Sequence, residues 1–123
     1  MSTPTEKQVA NRALWVEALR SGEYRKAVGH LREGPPNSSC CCVWGVACDV
    51  VEPGPFALYG GQFCGPPESV EEAMGMRDDE DLWEDDFYAS SLMVLNDHKG
   101  FSFDELADLI QLHTLDQLGG GVI

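Results

Sequence analysis

A long apolar run is the first thing this chain lacks. No stretch approaches the roughly 18 apolar residues that a bilayer-spanning helix needs. Nor does the opening MSTPTEKQVANR place a basic segment before an apolar one, as an export signal would. A soluble, non-secreted, cytoplasmic protein with no membrane partner is therefore expected. Positive charge is also scarce. Eight lysines and arginines stand against 21 aspartates and glutamates, a formal net charge of −13. So acidic a chain repels phosphate backbones, and direct binding of nucleic acid is not expected. Paired cysteines are missing too. The five cysteines are an odd number, which argues against a disulfide framework and for thiols in a reducing compartment.

What is present is ordinary for a folded protein. Hydrophobic residues make up 43% of the chain, and its length suits one core, so residues 1–123 read as a single domain. The charge is unevenly placed. Lys7, Arg12, Arg20, Arg25, Lys26 and Arg32 fall in residues 1–33, where only Glu6, Glu17, Glu23 and Glu33 oppose them. Beyond residue 33 only Arg77 and Lys99 remain as basic residues. An anionic ligand would be met by the first third of the chain.

Thr3-Pro4-Thr5-Glu6 has the pattern of a capping box with proline at the first helical position, predicting a helix that starts there. Val9, Ala13 and Val16, with Ala10, Leu14 and Ala18 beside them and Trp15 and Leu19 extending the stripe, predict a wide buried side. Ser21-Gly22 ends the helix. Tyr24 to Arg32 reads as a short strand or extended arm with Val28 and Leu31 inward, and Gly34-Pro35-Pro36-Asn37 as a turn. Cys40 to Val51 suits a buried strand or a buried helix; its length and the repeat of Cys42, Val46 and Val50 favour a helix, capped by Ser38 or Ser39. FALY and QFC, joined by Gly60-Gly61, read as a hairpin. Pro66-Pro67-Glu68-Ser69 opens a short helix that Gly75 closes.

Residues 78–86, DDEDLWEDD, carry seven acids in nine and read as a solvated acidic loop. Ala89 to Leu95 is a helical turn or a strand. Ser102 and Glu105 form a second capping box, Phe101 can staple onto Leu106, and Phe103, Leu106, Ala107 and Ile110 share an apolar face. That helix fades near Leu118, leaving 119–123 as a flexible end. The sum is an α+β fold: about four helices with a small antiparallel sheet or hairpin.

Structural zinc usually takes paired cysteine knuckles. Here Cys40, Cys41 and Cys42 are contiguous, Cys48 follows at a distance and Cys64 stands alone. Contiguous cysteines point in different directions, so neither a metal nor a cofactor is expected, and Cys42 and Cys48 read as small buried hydrophobes. A cysteine nucleophile needs a lowered pKa. Cys40 or Cys41 at a helix start meets one condition, and His30, His98 or His113 could meet another, but their spacing brings none of them to it. No catalytic residue is expected and the chain does not read as an enzyme. The acidic run invites a nucleic-acid-mimic reading, with Trp83, Phe87 and Tyr88 as partner anchors; one loop is a poor imitation of a phosphate backbone. Asn96-Asp97 before His98-Lys99-Gly100 suits a side-chain-held turn, or polar contacts to a ribose or base edge. Arg20, Arg25, Lys26, His30 and Arg32 can partly pair with Glu17, Glu23 and Glu33, yet they are the place where a phosphate would be welcome. Tyr24, Trp15 or Trp44 could stack on a base there.

WVEALRSGEY at 15–24, CVWGVACD at 42–49, PPESV with Met74-Gly75, Leu95-Asn96-Asp97 and GFSFDELADLI at 100–110 together resemble a group of small, mostly uncharacterised proteins encoded by tailed phages and prophages. The resemblance covers most of residues 13–112. The chain departs from the group's Cys-Cys-Leu-Gly core at Cys42-Val43-Trp44-Gly45, and its acidic insertion at 78–86 is its own. Accessory phage proteins of this size often antagonise host defence. The resemblance therefore implies a counter-defence binding protein in the host cell cytoplasm that sequesters a small anionic nucleotide-derived immune signal. Arg20, Tyr24, Arg25, Lys26, His30, Arg32, Trp44, Asn96 and Asp97 are the candidate ligand contacts, in a homo-oligomer. The alternatives are an acidic protein-binding inhibitor of a host defence enzyme, and a cysteine enzyme or zinc-binding protein.

Overall fold

The computed structural model describes residues 3–26, 40–51, 68–77, 81–84, 89–97 and 99–119. Their element order is α1 (Glu6–Arg20), β1 (Arg25–Lys26), β2 (Cys40–Cys41), α2 (Val43–Val51), α3 (Glu68–Met74), β3 (Asp81–Glu84), β4 (Ala89–Ser91), α4 (Leu92–Asp97) and α5 (Phe103–Gln117). Helix α1 packs against α5, α2 and α3. Arg12 faces Thr114 and Gln117 while Arg20 faces Asp108 and Gln111, so α1 and α5 run antiparallel. No helix among the described residues is long and apolar enough to cross a membrane.

The α+β expectation is overturned. Helices dominate the described residues, no strand there exceeds four residues, and the ladders have two strands each. Strands β1 and β2 pair in parallel, Arg25 opposite Cys40; β3 and β4 pair antiparallel, with a register shift between Asp81 and Trp83. The core is built by helix on helix instead. The acidic run is not a loop throughout, since Asp81–Glu84 is β3. Leu82 packs against the core, and the partner strand meets the backbone groups that a loop would leave to water. The hairpin expected at 56–64, Val28, Leu31, the turn at 34–37, Ser38, Ser39, Phe87 and Tyr88 lie outside the described residues.

Helix α1 starts two residues later than its sequence predicts. Thr5 is the cap: its side chain accepts the Gln8 N–H at 3.1 Å, and Gln8 Oε1 accepts the Thr5 N–H at 2.9 Å. Gln8 Nε2 also donates to the Glu72 carbonyl at 2.9 Å, a bond to α3 that favours the observed register over the Thr3 alternative. The wide apolar side narrows to Trp15, Val16 and Leu19 together with two polar residues, Asn11 and Arg12; Ala10, Ala13 and Leu14 are exposed.

Helix α2 forms where the run at 40–51 favours one, but its cap is Cys42, whose Sγ accepts the Gly45 N–H at 3.4 Å. Val43, at its first turn, joins three helices. Its carbonyl accepts Trp15 Nε1–H at 2.9 Å from α1, and its N–H donates to Asn96 Oδ1 at 3.1 Å from α4. Trp15 and Trp44 pack with ring centroids 4.8 Å apart and planes tilted by 41°. Such a pair adds about 1 kcal/mol beyond the area it buries.

Helix α3 closes at Gly75 as the sequence predicts. The Met76 N–H bonds the Glu71 carbonyl and the Gly75 N–H the Glu72 carbonyl, both at 3.2 Å, with Gly75 at φ 67°. This is a Schellman closure, completed by the buried side chains of Val70 and Met76. Helix α5 begins at the predicted box, Ser102 with Glu105, and Phe101 and Leu106 both join the core beside it.

Candidate functional site

The expected ligand contacts that are among the described residues do not converge on a common wall. Trp44 is fully buried at 0% exposure, stacked on Trp15 rather than facing the basic arm. Asn96 is equally buried and holds the start of α2. Arg20 pairs with Asp108 at 2.6 Å and bonds Gln111 at 2.7 Å. Tyr24 donates its hydroxyl to Asp49 Oδ2 near the end of α2, and Lys26 Nζ donates to the Phe101 carbonyl at 2.7 Å. Arg25 is exposed on β1. The side chain of Asp97, and all of His30 and Arg32, lie outside the described residues. The arm's described polar groups thus tether it to α2, to α5 and to the segment before α5.

The buried thiols serve packing. Cys41, Cys42 and Cys48 are thiols at 0% exposure, and Cys42 spends its sulfur as a cap. Among the described residues no three histidine, cysteine or carboxylate side chains gather as metal ligands would.

A different residue emerges as the hub. Arg12 is 1% exposed. Its Nε donates to the Met74 carbonyl at 2.6 Å and its Nη2 to the Gly75 carbonyl at 2.8 Å. Its Nη1 reaches Thr114 Oγ1 at 3.1 Å and Gln117 Oε1 at 2.6 Å. Asn11 Nδ2 bonds the Ala73 carbonyl at 2.8 Å. With Gln8 on Glu72, three side chains of α1 therefore satisfy four successive carbonyls at the C-terminal end of α3, and the cation sits at the negative pole of that helix. One guanidinium fastens α1, α3 and α5 together.

Beside this hub runs a groove of about 530 Å³ between α1 and α5. Val9, Ala13 and Val16 form one wall; Leu112, Leu115 and Leu118 form the other. These three leucines are 62, 51 and 47% exposed. Spaced by three residues, Leu112 and Leu115 on α5 and Leu118 at its C-cap make a second stripe, rotated away from the buried Leu106, Ala107 and Ile110. None of the expected contacts among the described residues lines it. Sequence did carry a signal: α5 has more apolar positions than one buried face can use.

A family model for a domain of unknown function, DUF8296, matches residues 7–53. That span takes in α1, β1, β2 and α2, hence one wall of the groove and the Trp15–Trp44 pair. No curated protein matches the chain, and no solved structure does.

Proposed function

We propose that the chain is a non-catalytic binding protein that docks onto another protein through the groove between α1 and α5. One observation carries the reading: three large leucines stay exposed in a row on a helix whose other face is fixed in the core. Contiguous exposed apolar surface flanking a preformed concavity is what interaction sites look like. In the phage setting that the sequence resemblance implies, the docked protein would be a host defence protein in the cytoplasm. Capture of an anionic nucleotide by the arm from Arg20 to Arg32 has less geometric support, because Arg20 and Lys26 are already bonded within the fold.

Panning a random displayed peptide library on the protein tests this. Peptides enriched on the native chain should be lost on the Leu115→Gln variant and kept on Leu14→Gln, which changes an exposed leucine outside the groove. Enrichment that ignores both substitutions, or no enrichment, rejects the groove as a protein-docking site.

A further inference from the structure

The apolar groove has acidic margins. On α1, Glu6 and Glu17 are exposed and share a line with Ala10 and Ala13 along the rim. On α5, Asp108 lines the groove, and Asp104, about one turn before it, and Asp116, next to Leu115 in sequence, are exposed. Two cations of α1 lie at this surface: Arg12 is in the groove's lining but 1% exposed and bonded to α3 and α5, and Arg20 is paired with Asp108. Lys7 lies about a quarter to a third of a helix turn from the Glu6–Ala13–Glu17 line, toward Leu14. With Asp108 paired to Arg20 and Arg12 buried, Glu6, Glu17, Asp104 and Asp116 leave the margins of the groove with a net negative charge.

We infer that the groove's occupant is a cationic amphipathic helix of a partner protein. The inference rests on the docking function proposed above and names the chemistry of the partner. Two antiparallel helices offer a cleft into which a third can lay a stripe of apolar side chains at i, i+3, i+4 and i+7. Lysines or arginines flanking that stripe would meet Glu6 and Glu17 on one side and Asp104, Asp108 and Asp116 on the other. Charge also disfavours a second copy as the occupant: two chains of net charge −13 would bring acidic rims together. Opposite charge on the partner turns the same field into steering.

The test uses the full chain and three synthetic peptides of about 18 residues. One is built of lysine and leucine with leucines at helical spacing, one replaces every lysine by glutamate, and one scrambles the first so that the periodicity is lost. Fluorescence anisotropy in about 0.15 M salt should show binding of the first peptide only. Leu115→Gln and Leu112→Gln should each weaken it about tenfold or more, while Leu14→Gln should leave it unchanged. Paired substitutions Glu17→Gln and Asp108→Asn should also weaken it, with circular dichroism checking that each variant stays folded. Equal binding of the scrambled peptide would overturn the inference, as would binding that ignores Leu115. Groove-dependent binding of the glutamate peptide would overturn the cationic assignment while leaving protein docking in place. A dimer in light scattering that Leu115→Gln dissociates would make a second copy the occupant and overturn the inference as well.

Discussion

Arg12 shows how one residue can be misjudged when only its neighbours in the chain are visible. In sequence it is one cation among six in the first 33 residues, on a helix whose apolar stripe passes it by. In the fold it is buried, because its partners lie 62 to 105 residues further along the chain. Nothing local marks that. Replacing it by alanine strands the Met74 and Gly75 carbonyls and opens a void between three helices. Arg12→Ala should therefore cost about 3 kcal/mol or more, read as a lower urea midpoint. Arg12→Lys keeps the charge but has no planar fork to span carbonyls on one side and Thr114 and Gln117 on the other, so it should fall in between. Arg25→Ala, at an exposed position, should stay within about 0.5 kcal/mol of the native chain. If Arg12→Ala were as mild as Arg25→Ala, the hub would carry no structural weight. Trp44 and Asn96 teach the converse lesson. Their side-chain chemistry suits a ligand, but burial gives one to the core and the other to the first turn of α2.

Elements whose signals are local are the ones sequence reads well. The box at Ser102 and Glu105 is complete within four residues, and α5 starts where it says. The helix ending at Gly75 is legible for the same reason. At the start of α1 two registers fit the pattern, and the choice falls to Gln8 reaching α3, which lies 64 residues away. The missing sheet has the same origin: whether a short extended segment finds one partner or several depends on distant chain, so Asp81–Glu84 could look like a loop and still pair with Ala89–Ser91. Gly75 links these two levels. Its φ is 67°, and a Cβ there would stand 2.7 Å from Gln8 Cδ and Oε1. The Gln8 side chain could yield only by giving up the α1 capping box and its bond to Glu72. Gly75→Ala should therefore lose about 2 kcal/mol or more, from backbone strain plus a broken cap. Gly22→Ala has the same backbone strain, φ 80°, but nothing within 4 Å of the new Cβ, so it should lose only about 1 kcal/mol. Thermal melts of the two variants compare them directly, and equal losses would mean that the Gln8 contact contributes nothing.

At the scale of the whole molecule the dominant fact is charge, and it acts in opposite directions on folding and on binding. A net charge of −13 over 123 residues repels itself in the compact state. The Arg20–Asp108 contact offsets little of this, since it is between half-exposed groups and such pairs contribute at most about 1 kcal/mol. Screening should accordingly stabilise the native chain: raising sodium chloride from about 0.02 to about 0.5 M shortens the Debye length from roughly 20 Å to about 4 Å and should raise the melting temperature. The same change should weaken the cationic peptide in the groove, because there the acidic rims attract. The apolar contribution of Leu112, Leu115 and Leu118 is not screened, so binding should decline toward a residual set by those leucines rather than vanish. Measuring both quantities across one salt series separates the two roles of the charge. A melting temperature that falls with salt would show that internal ion pairs outweigh the self-repulsion, and peptide binding indifferent to salt would show that the acidic margins of the groove do not recognise the partner.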